Sequence, residues 1–184
     1  MSWLEWIGTG CGIIYLILAI YGNRLCWVAY FGCAVVYIPV LFAADMRFYG
    51  ALQFVFAGLA IQGFFNWGKD GNNTSQIKEL PPRAHLFAIG GLFPASLLLT
   101  WLIGDADHFG FSLSDAIISL FSVWATIIAT RRYIDHWKYW IAINVLAVAT
   151  YYLKGMYPTT GLFLFYFIFS ILGLRSWQKM RAPR

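Results

Sequence analysis

Residues 173–179 read GLRSWQK, and residues 63–69, 110 positions earlier, read GFFNWGK. Each closes a long apolar run with the same Gly-x-x-x-Trp-x-Lys pattern. Carried backward, the same shift sets Trp27 on Trp137, Val35 on Val145, Met46 on Met156, Leu52 on Leu162 and Ile61 on Ile171 without a gap. Apolar coincidences come cheaply in a chain that is 60% hydrophobic, but a glycine, a tryptophan and a lysine kept at fixed spacing do not. The shift predicts two copies of one supersecondary unit, residues 1–69 and 112–184, joined by residues 70–111.

Composition says what each copy is made of. Only 11% of the 184 residues are charged and the mean hydropathy is +0.66. A soluble domain of this length needs more polar surface, whereas repeated apolar runs of about 20 residues suit helices crossing about 30 Å of hydrocarbon. The runs do not alternate with polar residues, which argues against a β-barrel. Seven spans are expected, at residues 3–21, 26–44, 48–67, 84–104, 112–130, 136–153 and 158–177. Glycine, asparagine, proline and charged residues punctuate the connections between them. The N-terminus has no basic stretch ahead of its first apolar run and carries Glu5, so that run reads as a span and not as a cleaved leader. Ser112, Leu113, Ser114 and Asp115 have the capping-box pattern, which opens the fifth span at Ser112 and leaves Asp115 as a helix-end carboxylate. Pro39 and Pro94 inside spans two and four read as packing kinks, or in span two as a hinge. Cys11, Cys26 and Cys33 lack metal or redox spacing and read as small apolar residues.

Orientation follows from the basic residues. Eleven of the 13, all but Arg47 and Lys154, fall on the side shared by the odd-numbered connections and the C-terminus. The positive-inside rule then puts the N-terminus outside and the C-terminus in the cytoplasm. Four crossings separate equivalent spans, so the copies share one orientation about an axis along the membrane normal, with the fourth span as a linker helix. The expected fold is therefore an all-α polytopic membrane protein of two parallel three-helix repeats, arranged 3+1+3. The net charge of +5 has a membrane explanation and gives no reason to invoke a nucleic-acid partner. Residues 68–83 read as a solvated cytoplasmic linker, where the sequons at Asn72 and Asn73 carry no meaning.

The second repeat holds the segment of greatest chemical interest, HWKYWIAINVLAVATYYLKG at residues 136–155. On a helix Trp137, Trp140, Asn144 and Tyr151 fall within one stripe. In the first repeat Trp27 and Tyr30 reproduce the aromatic pair, but Ala34 and Leu41 stand opposite Asn144 and Tyr151. Symmetry thus explains the aromatics as architecture and leaves the amide unexplained. Asn144 would lie about 10 Å into its span, where an interhelical hydrogen bond worth about 1 kcal/mol and ligand binding both account for it. Trp137, beside Arg131, Arg132 and Lys138, also suits an interfacial aromatic belt, whereas Trp140 lies a turn deeper. On the third span Gln53 shares a face with Phe56, Ala60, Gly63 and Phe64, which directs it to the axis or to a neighbouring helix. Tryptophan faces hold a cationic aromatic ring with about 0.5 to 2 kcal/mol per contact, and Asn144 and Gln53 each offer a donor and an acceptor.

The segment TRRYIDHWKYWIAINVLAVATYYLKGMY at residues 130–157, with Trp137, Trp140 and Asn144 in a W-x-x-W-x-x-x-N motif, resembles the Pnu family of bacterial vitamin transporters. The likeness covers most of the chain, includes Gln53 ten residues before Gly63, and is weakest in the loop and fourth span. It implies a SWEET-like seven-helix fold, a homotrimer in the bacterial cytoplasmic (inner) membrane, and uptake of nicotinamide riboside with trapping by an intracellular kinase. It also implies a pocket lined by Trp137, Trp140, Asn144 and Gln53, which Phe56 and Tyr151 join by their stripes. Ala60 and Leu172 stand where the family's nicotinamide riboside carriers have asparagines, so thiamine or another vitamin or nucleoside is the alternative substrate.

The remaining chemistry argues for passive transport. No P-loop is present, and the span interiors away from their ends hold no Asp, Glu, Lys or Arg to relay protons. Substrate-driven rocking of the two repeats is the expected mechanism, with no cofactor or metal. An enzyme is not expected, because His85, His108 and His136 stand apart from any serine or cysteine nucleophile. A retinal protein would need a lysine within residues 158–177, which have none. A non-transporting membrane scaffold is the reading from another class, and it would bind no small aromatic vitamin.

Overall fold

Every apolar run of the sequence is helical in the computed structural model, which describes residues 3–43, 46–69 and 77–181. The helices are α1 (Trp3–Ile20), α2 (Cys26–Ala43), α3 (Arg47–Lys69), α4 (Pro82–Ile103), α5 (Phe109–Thr130), α6 (Asp135–Leu153) and α7 (Tyr157–Arg181). The all-α expectation holds: the described residues form no strand beyond a single bridge between Lys78 and Tyr133. α4 opens on Pro82, whose missing N–H is no loss at a helix start, and both α2 and α4 continue through their internal prolines.

Among the described residues five helices, α2 to α5 and α7, are long and apolar enough to cross a membrane by themselves. α6 carries Asp135, His136 and Lys138 in its first turn. Yet α6 buries eight of its 19 residues, Asp135, His136, Trp137 and Asn144 among them. A helix walled in by protein does not need an apolar surface all round.

The start of α5 corrects the capping-box expectation. The helix begins at Phe109, three residues before Ser112, so Asp115 lies inside the helix and not at its end. The turn is made upstream instead. Asp105 accepts the Asp107 N–H at 3.0 Å and contacts His108 Nδ1 at 2.9 Å, while Ser112 Oγ accepts the Asp105 N–H at 3.1 Å. The His108 hydrogen bond holds the exposed Asp105 carboxyl below the usual carboxylate range.

Contacts group the chain into two compact units. The first comprises Met1–Ile77, Thr126–Arg132 and Arg175–Arg184, with α1 packed on α2 and α2 on α3. Trp27, Trp67 and Trp177 are fully buried in it, with Trp67 edge-on to Trp27 at 5.4 Å and 5.6 Å from Trp177. Buried indole N–H groups need acceptors. Trp67 Nε1 donates to the Ala129 carbonyl at 3.0 Å, and Trp177 Nε1 to the Ala19 carbonyl at 2.9 Å. Those carbonyls close the last turns of α5 and α1, and each also accepts the N–H of the following turn, from Arg132 and Gly22. Donors and acceptors alike are 110 positions apart. So are two of the three described left-handed residues, Gly22 at φ 67° and Arg132 at φ 59°; the third is Gly155 at φ 71°. Glycine adopts that conformation freely, whereas a side chain is strained there. Arg132 is held in it by its guanidinium, 4.6 Å from the Trp67 ring and donating to the Trp67 carbonyl at 3.3 Å.

The second unit comprises Lys78–Ala125 and Tyr133–Leu174. Its Asp135 carboxylate, nearly inaccessible, accepts the Leu80 N–H and the Lys138 ammonium, both at 2.7 Å, and Ile134 N–H donates to the Lys78 carbonyl at 2.9 Å. The stretch before α4 is thereby pinned to the start of α6, which corrects its reading as wholly solvated linker. Asn72 and Asn73 lie outside the described residues. His85, expected to have no serine or cysteine nucleophile beside it, stacks on Tyr139 at 5.7 Å with Nδ1 2.9 Å from the phenol oxygen.

Both repeated glycines have the same reason. A Cβ on Gly63 would stand 2.4 Å from the Trp27 indole, and one on Gly173 would stand 2.6 Å from the Trp137 indole. Each glycine is the seat of the tryptophan that opens the preceding helix or its first turns. Gly173→Ala is therefore expected to destabilise the protein by about 1 to 3 kcal/mol through overpacking, read as a lower Tm in detergent. Gly161→Ala, which meets nothing within 4 Å, is the control and leaves Tm unchanged or higher.

Candidate functional site

The α6 stripe is built against α7. Trp137 is buried, seated on Gly173 and 4.5 Å from the His136 ring, so it is packed in the interior and does not stand in an exposed belt. Trp140, one turn on, is half-buried. Asn144 is 1% exposed. Its Nδ2 donates to Ser170 Oγ at 3.2 Å, and its Oδ1 accepts no hydrogen bond among the described residues. Buried acceptors are rarely left in that state, and where they are, a ligand or water is the usual reason.

Two turns further along, Tyr151 stacks on Phe163 at 5.2 Å with planes 9° apart. Its hydroxyl donates to Asp115 Oδ1 at 3.3 Å, and Lys154 Nζ donates to Asp115 Oδ2 at 2.8 Å. The Lys154 ammonium also lies 5.3 Å from the Phe111 and Tyr151 rings. Asp115 is thus the hub of an ion pair that ties α5 to the end of α6, and the Tyr151 hydroxyl is committed to it. The sequence reading missed this hub because its members are 36 and 39 positions apart.

Gln53 and Phe56 belong to the first unit and the other four candidates to the second. Phe56 is buried with its ring 5.9 Å from Tyr30, which stacks on Tyr15 at 4.6 Å. Gln53 is half-buried on the same α3 face, which continues through buried Ala60 and Gly63 as expected. The two departures from the family pattern differ in position. Ala60 lies on this inward face, whereas Leu172 is 45% exposed. Ser170, Phe163 and Gly173 are the α7 partners that the sequence reading did not place in the site.

The arrangement offers aromatic faces and a buried hydrogen-bonding amide on helices that span a membrane. That is equipment for holding a small flat molecule on its way across a bilayer. Residues 2–179 match the model of the nicotinamide mononucleotide transporter family, and the chain belongs to that family. It is 22% identical over its whole length to the nicotinamide riboside transporter PnuC of Escherichia coli (strain K12), covering 88% of that protein. Over 97% of its length it is 24% identical to the nicotinamide riboside transporter PnuC of Haemophilus influenzae, covering 80% of it. The fold matches the crystal structure of the vitamin B3 transporter PnuC with a TM-score of 0.77 at 20% identity, over 98% of this chain and 82% of that one. The chain is a PnuC-like membrane transporter, as its motifs led one to expect.

The Asp115–Lys154 pair is partly accessible, its side chains 23% and 21% exposed, so its strength is measurable and modest. A double-mutant cycle with Asp115→Asn and Lys154→Met, followed by thermal unfolding in detergent, is expected to give a coupling of about 0.5 to 1 kcal/mol. Strictly additive effects would mean that the ion pair contributes nothing.

Proposed function

We propose that this protein carries nicotinamide riboside into the cell by facilitated diffusion, with Trp137, Trp140, Asn144, Gln53, Phe56 and Tyr151 as the residues that bind it. The observation that carries this reading is the buried Asn144 carbonyl oxygen, which has no donor among the described residues, set on a stripe of tryptophans in a transporter fold. The relatives in Escherichia coli and Haemophilus influenzae named for nicotinamide riboside support the substrate. A cationic pyridinium stacks on indole faces, and its carboxamide supplies the N–H that Asn144 lacks.

The transport cycle is a rocking of two parallel three-helix repeats, residues 1–69 and 112–184, linked by α4, with the N-terminus outside and the C-terminus in the cytoplasm. The reciprocal bonds of Trp67 to Ala129 and of Trp177 to Ala19, in one register of 110 residues, support that 3+1+3 reading. So does the pairing of Gly63 with Trp27 and of Gly173 with Trp137. Intracellular phosphorylation traps the vitamin, and the protein assembles as a homotrimer in keeping with the family it resembles. Ala60, on the inward face of α3 where an asparagine is the family pattern, favours thiamine as the second reading.

Tryptophan-fluorescence titration of the purified protein with nicotinamide riboside, thiamine, riboflavin and a deoxynucleoside tests the substrate. Nicotinamide riboside is expected to quench, and Trp140→Ala to weaken its binding about tenfold, equivalent to about 1.4 kcal/mol. Strongest binding by thiamine would select the second reading, and no quenching by any compound would favour the scaffold. In proteoliposomes without a kinase the vitamin is expected to equilibrate only; accumulation against its gradient would overturn the passive mechanism.

A further inference from the structure

The first repeat supplies a control for the polar contact between α6 and α7. Asn144 and Ser170 stand, at the offset of 110, opposite Ala34 and Ala60, and both alanines are buried. Burial at these two positions therefore does not require a polar side chain. What the second repeat adds is a hydrogen-bond chain, and its direction can be worked out proton by proton.

Ser170 Oγ lies 2.7 Å from the Tyr166 carbonyl, one helical turn back, and 3.2 Å from Asn144 Nδ2. A hydroxyl has one proton, and a carbonyl can only accept. Ser170 therefore gives its proton to Tyr166 and turns a lone pair to Asn144. Only the NH₂ end of an amide can face a lone pair. The Asn144 oxygen is thus forced to the opposite side, buried and without a donor among the described residues. An amide free to rotate would serve donors and acceptors equally; this one is fixed as an acceptor.

Resting on the reading of Asn144 as a substrate group, we propose that Ser170 is a positioning residue that makes the site select a carboxamide over a carboxylate. A carboxamide brings the N–H that the fixed oxygen lacks. A carboxylate brings only further acceptors, which the fixed oxygen repels. The substrate discriminated against is the same riboside with the amide replaced by an acid. A site whose buried polar group is left unpaired by the wrong ligand discriminates far more strongly than one that merely loses a methylene contact.

The test compares dissociation constants for nicotinamide riboside and nicotinic acid riboside by tryptophan fluorescence in the wild type, Ser170→Ala and Ser170→Thr. The wild type is expected to prefer the amide by at least about tenfold. Ser170→Ala, which installs the residue found at the equivalent position 60, is expected to lower that preference to within about threefold, because the released amide can turn its NH₂ to the acid. Ser170→Thr keeps a hydroxyl that can bond back to the carbonyl four residues earlier, and is expected to keep the preference. An unchanged ratio in Ser170→Ala, or a lost one in Ser170→Thr, would overturn the role of the serine while leaving the substrate assignment standing. A wild type that bound neither riboside would overturn the substrate assignment and this role with it.

Discussion

Two indole N–H groups, on Trp67 and Trp177, reach across to the last-turn carbonyls of α5 and α1. Each bond joins helices far apart in the chain, α3 to α5 and α7 to α1, so that neither tryptophan is satisfied by its own helix. An unpartnered buried N–H is costly, and the pair of bonds therefore ties these helix ends to one another. The rings that carry these donors lie 5.6 Å apart, and Trp27 and Arg132 close around Trp67. From this knot the helices leave in register. The glycines at 63 and 173 bring the tryptophans at 27 and 137 onto α3 and α7, and Trp137 in turn fixes the rotation of α6 on which Asn144 sits.

Much of this was legible in the residues. Seven apolar runs became seven helices because a segment in lipid must satisfy its backbone internally, and a helix is the local way to do so. The Gly-x-x-x-Trp-x-Lys endings were legible because packing against an indole leaves a fixed signature, a missing side chain. The Asn144 amide stood out because a polar group deep in an apolar run is rare. What could not be read were the contacts between distant segments. Asp135 with Leu80, His85 with Tyr139, and Asp115 with Tyr151 and Lys154 join residues 36 to 55 positions apart, and none leaves a periodic trace. Ser170 was missed for a different reason. A serine in an apolar helix bonds to the carbonyl one turn back, as Ser96 and Thr100 do in α4, and so looks self-sufficient.

The two stretches related by the shift of 110 positions also differ in what they carry. The first keeps Ala34 and Leu41 where the second has Asn144 and Tyr151, and Gly22 where the second has Arg132. The shared features, glycine seats and indole bonds, are those that hold helices together. The unshared ones concentrate polarity in the second copy: an amide with its serine, a phenol with its carboxylate, a guanidinium in a strained turn. Polarity of this kind is destabilising in lipid unless neighbouring helices enclose it, which is why α6 is so heavily buried.

That enclosure bears on how the protein is made. During synthesis each apolar segment partitions into the bilayer by its own hydrophobicity, and helices then associate side by side. α6, with an aspartate, a histidine and a lysine in its first turn, lacks the lone-segment apolarity of α5 before it and α7 after it. Its indole needs the seat at Gly173, and its amide needs Ser170, both on a helix that emerges from the ribosome later. The helix that carries Asn144 thus depends on its successor for its residence in the membrane, and the biogenesis of α6 and α7 is a joint event.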